Sequence, residues 1–174
     1  IREAAEVRFN SRWPAVVSNA VQARRSSSVG TSIIAIGAST GGVEALQTLL
    51  KDFPEDCPPT VIVQHVNPRF APAIAQTLDA ATPAKVQLAE PEMPLKSGNI
   101  YLAPGGDRHF TIGGAGVFYA RLRNGDPVSG HIPSVDMLFE SVAELAGPNA
   151  IGILLTGMGS DGAMASRPLA PSDP

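Results

Sequence analysis

The spacing of apolar residues changes repeatedly along the chain. Ser32-Ile33-Ile34-Ala35-Ile36 is a short β-branched run that flows into Gly37-Ala38-Ser39-Thr40-Gly41-Gly42 and then into the helix-forming stretch Val43-Glu44-Ala45-Leu46-Gln47-Thr48-Leu49-Leu50. This reads as strand, tight turn and helix. The alternation continues with a strand over 60–64 (Thr60-Val61-Ile62-Val63-Gln64), a helix over 71–80 and a short strand around Val86-Gln87-Leu88. Strands that alternate with helices predict a parallel sheet with right-handed crossovers.

The middle of the chain is less regular. Asn99-Ile100-Tyr101-Leu102-Ala103 is a further strand, and Phe110-Thr111-Ile112 and Val117-Phe118-Tyr119-Ala120 flank Gly113-Gly114-Ala115-Gly116, a hairpin signal. The α/β rhythm then returns. Ser134 can cap a helix whose Val135, Leu138, Phe139, Val142 and Leu145 form one buried face. A last strand, Ile151-Gly152-Ile153-Leu154-Leu155, runs into the glycine-rich loop Thr156-Gly157-Met158-Gly159-Ser160-Asp161-Gly162. The expected fold class is α/β: a doubly wound, mostly parallel sheet flanked by helices, with a small antiparallel hairpin.

Residues 1–31 differ from the rest and are read as an interdomain-type linker. Ile1–Phe9 could form a short amphipathic helix, Pro14 interrupts it, and Gln22–Ser28 is polar linker chemistry. The folded domain spans 32–164, followed by a proline-rich tail over 165–174. With 174 residues, the chain is long enough for one domain with a real core.

Composition removes several classes of function. The formal net charge is −3 and no basic block extends beyond Arg24-Arg25, so no footprint for nucleic acid is visible. A single cysteine, Cys57, precludes an internal disulfide and cysteine-built metal sites, and it reads as an inert loop residue. Apolar runs such as Ile33–Ile36 and Ile151–Leu155 are far too short to span a bilayer, and no secretory leader opens the chain. A cytoplasmic location is expected.

In an open parallel sheet, ligands gather outside the carboxyl ends of the strands, so the residues just after each strand carry the most information. Ser39 follows the first strand, His65 follows Thr60–Gln64, and Asp161 lies in the loop after the last. The glycines of the first turn allow a sharp bend that holds the Ser39 hydroxyl outward. A serine hydroxyl becomes a useful nucleophile when an imidazole takes its proton, and a carboxylate behind the imidazole fixes its tautomer. His109 and His131 compete with His65, but neither directly follows an apolar parallel strand. Asp107 and Asp136 compete with Asp161, yet Asp136 falls in the first turn of a helix, where it meets the dipole favourably. Both are read as structural. A phosphate- or nucleotide-binding turn is the rival reading of Gly37–Gly42, although the turn fits G-x-S-x-G and lacks the Walker lysine.

Five blocks carry a resemblance to a known family. Gly37–Gly42, Val63-Gln64-His65, Tyr101-Leu102-Ala103-Pro104-Gly105-Gly106, Pro133–Phe139 and Leu155–Gly162 are similar to the catalytic domain of CheB-type chemotaxis receptor protein-glutamate methylesterases. The resemblance runs from about Ser32 to Met164. It implies a catalytic triad of Ser39, His65 and Asp161, with Thr40 and Met158 lining the site and contributing to an oxyanion pocket. It implies demethylation of glutamate methyl esters, and deamidation of glutamines, on the cytoplasmic helices of methylated chemoreceptors, with no metal or organic cofactor. The N–H of the residue after a nucleophile commonly faces the developing oxyanion, which independently points to Thr40.

The resemblance also frames two departures. Family members carry a phospho-receiver domain in front, and Ile1–Ala5 resembles the linker that follows one. After Asp161 the family continues with a helix and further strands, whereas Ala165–Pro174 is too proline-rich for a long helix. Reduced stability and pairing of exposed edges are therefore expected. A catalytically silent receptor-binding fragment is the alternative reading.

Overall fold

The computed structural model describes residues 32–155 together with Asp161 and Gly162. The expectations for the N-terminal helix and linker, for Met158 and for the proline-rich tail lie outside the described residues. The elements run β1 (Ile33–Ala38), α1 (Gly42–Leu50), β2 (Thr60–Gln64), α2 (Ala71–Asp79), β3 (Lys85–Leu88), β4 (Asn99–Leu102), β5 (Arg108–Gly113), β6 (Tyr119–Asn124), α3 (Val135–Ala146) and β7 (Ala150–Leu154). β1, β2, β3, β4 and β7 form a sheet of order β3-β4-β2-β1-β7, and every neighbouring pair in it is parallel. β5 and β6 make a separate antiparallel pair.

The alternation of side chains along each strand sorts them into two cores. Ile33, Ala35, Val61, Val63 and Tyr101 point to the face covered by α3 and the β5–β6 hairpin, and pack with Phe110, Ile112, Leu138, Phe139 and Val142. Ile34, Ile36, Ile62, Ile100 and Leu102 point to the other face and pack with Leu46 and Leu50 of α1 and Ala75 and Leu78 of α2. The sheet is thus covered on both sides, which explains why its strands are apolar throughout rather than alternating with polar residues. Burying side chains of this size contributes about 1.5–3 kcal/mol each.

Two local expectations are corrected. Leu145 is 39% exposed, and Ala146 takes its place on the buried face of α3. The helical pitch explains this, because ten residues beyond Val135 the direction is still ~80° short of the starting face, whereas eleven residues beyond it is ~20° past. In the hairpin, Val117 and Phe118 belong to the connection and β6 begins at Tyr119. Gly114 and Gly116 turn the chain through positive φ, Val117 is left 70% exposed, and the Phe118 carbonyl accepts from Leu95 N–H outside the ladder.

Cys57 lies in the loop before β2 and is buried. Burial pushes its thiol up, with partial opposition from hydrogen bonds to Thr60 and Gly98 and a further upward push from Asp56.

Candidate active site

The strand order sets where a site can form. The chain leaves β1 toward β2 and β4, then returns to add β7 on the opposite side of β1. The sheet therefore reverses its winding at β1, and the crevice beyond its carboxyl end is where open α/β sheets bind ligands. The backbone ladder extends into this crevice: Ala38 is in register with Gln64 and Gly37 with Leu154, His65 N–H donates to the Ala38 carbonyl at 3.0 Å, and Leu155 N–H donates to the Gly37 carbonyl at 2.8 Å. Ser39 and His65 are consequently brought side by side.

The turn after β1 is held from two directions. The Ser39 carbonyl accepts from Gly42 N–H at 2.8 Å and from the Gln64 side-chain amide at 2.8 Å. The same Gln64 Nε2 donates to the His65 carbonyl at 3.0 Å. One buried amide thus clamps the backbones of both residues. Gly42 lacks a Cβ where the Gln64 oxygen comes closest, so any side chain there would evict the clamp. Thr40, next along the turn, is exposed just before the amino end of α1.

The side chains complete a relay. Ser39 Oγ is 3.2 Å from His65 Nδ1, and His65 Nε2 is 2.8 Å from Asp161 Oδ2. An ionised carboxylate only accepts, so the imidazole proton resides on Nε2 and the Nδ1 lone pair accepts from the Ser39 hydroxyl. The His65 side chain is 13% exposed and that of Asp161 2%. This arrangement can take the serine proton and hold the resulting imidazolium against a fixed negative charge.

Asp161 is held by the amino end of α3. A helix leaves four backbone N–H groups without intrahelical partners at its start, and here all four have acceptors. Val135 N–H donates to Asp161 Oδ2 at 2.7 Å and Asp136 N–H to Asp161 Oδ1 at 3.0 Å. Met137 N–H donates to Ser134 Oγ at 3.4 Å, and Ser134 N–H to His109 Nδ1 at 3.2 Å. The Ser134 hydroxyl itself donates to Asp161 Oδ1 at 2.7 Å. Asp161 therefore sits where the helix dipole and free donors favour an anion. Burial pushes its carboxyl up, but the hydrogen bonds from His65, Asp136 N–H, Ser134 and Val135 N–H outweigh it and bring the pKa from 3.8 down to about 2.

Gly37 makes this docking possible. A Cβ there would run into Val135 Cγ1 and lie 3.1 Å from Leu154 Cδ1, so only glycine lets the start of α3 close over the end of β1. The second carboxylate, Asp136, is buried and works beside the first. Its Oδ1 accepts from Gly162 N–H at 2.9 Å and its Oδ2 from Ser129 Oγ at 3.0 Å.

The structure brings Ser39, His65 and Asp161 together and leaves Thr40 beside them; Met158 is outside the described residues. Sequence reasoning missed four neighbours. Gln64 reads simply as the last residue of a strand, and Ser134 was legible as a helix cap but not as a donor to Asp161. His109 is buried, donating Nε2–H to the Asp126 carbonyl at 3.0 Å and accepting from Ser134. His131 lies flat against His65, with ring centroids 3.8 Å apart and planes inclined by 8°. Among the described residues, no cluster of His, Cys, Asp and Glu could hold a metal ion, and no helix is long and apolar enough to cross a membrane.

Comparison with known proteins adds an independent line. Residues 34–171 match the family described as CheB methylesterase. A protein-glutamate methylesterase/protein-glutamine glutaminase 1 of Rhizobium johnstonii is 56% identical over 135 residues, covering 78% of this chain and 39% of the relative. Its counterpart in Caulobacter vibrioides is 48% identical over 163 residues, covering 94% of this chain and 47% of the relative. The chain thus spans less than half the length of these curated relatives. The crystal structure of the Thermotoga maritima CheB methylesterase catalytic domain superposes with a TM-score of 0.74 at 34% identity, over 77% of this chain and 71% of that one.

Proposed function

The chain belongs to the CheB methylesterase family, and from that premise we propose that it is a serine hydrolase that removes methyl groups from glutamate methyl esters on proteins. The observation that carries this reading is the unbroken relay from Ser39 through His65 to Asp161 at the carboxyl edge of the sheet.

In this reading Ser39 Oγ attacks the side-chain carbonyl carbon of the ester while His65 Nδ1 takes its proton. The negative charge that develops on the carbonyl oxygen faces the Thr40 N–H, and family resemblance alone assigns Met158 to the same oxyanion role. Collapse of the tetrahedral species breaks the bond to the methoxy oxygen, and His65 returns its proton to release methanol. Water then enters, is deprotonated by His65 and cleaves the acyl-serine, leaving a free glutamate and the resting enzyme. The same sequence on a glutamine side chain releases ammonia, in keeping with the glutaminase activity named for the relatives. Asp161 keeps the imidazole in its working tautomer throughout and stabilises the imidazolium.

The substrate proteins we infer are methylated chemoreceptors, acted on through their cytoplasmic helices, which sets the enzyme in the cytoplasm. The catalytic domain is assigned to 32–164. The test is methanol release from methylated receptor by the parent chain and by Ser39→Ala. Release by the parent alone supports the esterase, whereas equal release by Ser39→Ala overturns it.

A further inference from the structure

The base has two edges and two faces, and the relay accounts only for the edges. Nδ1 meets Ser39 and Nε2 meets Asp161, each through a lone pair or N–H that projects in the plane of the ring. The ring turns about its Cβ–Cγ bond, and a small roll about that bond carries the Nδ1 lone pair out of line with the hydroxyl and the Nε2–H out of line with the carboxylate. Something must bear on a face to stop the roll.

His131 does so. It closes a tight turn in which Val128 N–H donates to the His131 carbonyl at 3.2 Å and His131 N–H to the Val128 carbonyl at 3.0 Å. The two central residues, Ser129 and Gly130, both have positive φ, 52° and 81°, which is the geometry of the tightest hairpin turns. This turn is anchored through Ser129 Oγ to Asp136 Oδ2, and the other oxygen of Asp136 accepts from Gly162 N–H, one residue after Asp161. One buried carboxylate therefore ties the turn bearing His131 to the turn bearing Asp161. The outcome is a ring laid on His65 at 3.8 Å with only 8° between planes.

We propose that His131 is a positioning residue for the base: its ring forms a flat stop that holds the His65 imidazole in the plane shared by Ser39 and Asp161. A stacked ring at this separation blocks the roll by contact and covers one face of the imidazole from water. Preorganisation of this kind lowers the reorganisation needed when the serine proton moves, and misplacement by about 1 Å can cost ~10²-fold in rate. The role requires a flat ring at position 131, not a second proton carrier.

The inference uses the nucleophile and base of the proposed esterase, so its test is made independent of the ester substrate. The full chain, His131→Ala and His131→Phe are each treated with a fluorophosphonate, which reacts with an activated serine whatever its natural substrate. Saturation kinetics separate the maximal inactivation rate from the half-saturating concentration, and thermal melts check folding. His131→Ala is expected to lower the maximal rate about tenfold with the half-saturating concentration unchanged. His131→Phe, which keeps a flat ring but no titratable nitrogen, is expected to stay within about threefold of the parent.

A His131→Ala chain that reacts at the parental rate overturns the proposal. So does a folded His131→Phe chain as slow as His131→Ala, because the ring plane would then not be the active feature. If His131→Ala fails to fold, the folded His131→Phe chain decides: a rate more than tenfold below the parent overturns the proposal, and a near-parental rate supports it. A parent that takes up the fluorophosphonate but releases no methanol from methylated receptor overturns the proposed substrate and leaves the stacking inference to the inactivation rates.

Discussion

Ser39 and His65 hang from strand ends whose backbone ladder runs right up to them, whereas Asp161 is gripped from across the crevice by the amino end of α3. The first arrangement is built from regular, repeated backbone bonds and one amide clamp, Gln64. The second depends on individual donors that converge on one carboxylate. A strand end shares any disturbance with the whole ladder, while a carboxylate on a helix end feels each lost donor directly. Ser39 and His65, the proposed nucleophile and base, should therefore tolerate nearby substitutions better than Asp161 does.

Four changes would break or sharpen that contrast. The largest effect is expected from Asp161→Asn, which turns a pure acceptor into a group that can present N–H to His65 Nε2 and favours the wrong tautomer. Loss of about 10³–10⁴ in kcat is expected, read from methanol release, together with loss of the stability that the ionised carboxylate supplies, about 2 kcal/mol. A variant within tenfold of the parent would show that the helix end alone orients the base.

Gly37→Ala comes next, because its new methyl would push Val135 and the start of α3 off the end of β1. Overpacking of this kind costs about 1–3 kcal/mol, measured by denaturant unfolding. The shift it imposes on the Asp161 cradle should also lower kcat by up to ~10²-fold. Stability lost without any change in kcat would mean that the helix can move while its amino end stays in place.

Acid separates the two halves without mutation. The Asp161 pKa is lowered from 3.8 to about 2 on folding, so its stabilising contribution is complete well above the unfolded value and disappears as the pH falls through about 2. That amounts to about 2 kcal/mol. Unfolding free energy followed from neutral pH down to the acid limit should show this loss in the parent and not in Asp161→Asn. The same loss in both would assign it to other carboxylates.

The smallest effect belongs to Ser134→Ala. It removes the cap acceptor for Met137 N–H and one of the donors to Asp161 while leaving the Val135 and Asp136 N–H groups in place. About 1 kcal/mol of stability should be lost, with a fall in kcat smaller than that from Gly37→Ala. A larger catalytic loss than in Gly37→Ala would reverse the ranking of hydroxyl and helix position.

The same contrast explains what could be read from the chain before its structure. β1, β2, α1 and α2 announce themselves through spacing within a few residues, and the rule that chemistry gathers after strands finds Ser39 and His65 directly. Ser134 is visible as a cap because a serine precedes an apolar helical face. Its second partner, Asp161, is 27 residues away and enters only when β7 returns beside β1. His131 competes for the base role in the sequence and loses it because no strand delivers it; a two-residue turn does, and a turn carries no sign of what its flanking side chain will meet. Leu145 failed for a simpler reason, since an i+10 spacing drifts off a face that i+11 keeps.

Cys57 gives the molecule a built-in clock. The chain's one thiol is shut inside the loop that leads into β2, at the opposite end of the sheet from Ser39 and His65, and its burial keeps it in the protonated, unreactive form. An alkylating reagent can capture it only while that loop stands open. The pace of capture in native buffer therefore counts openings of the far edge of the sheet, with no added label and no residue of the crevice involved.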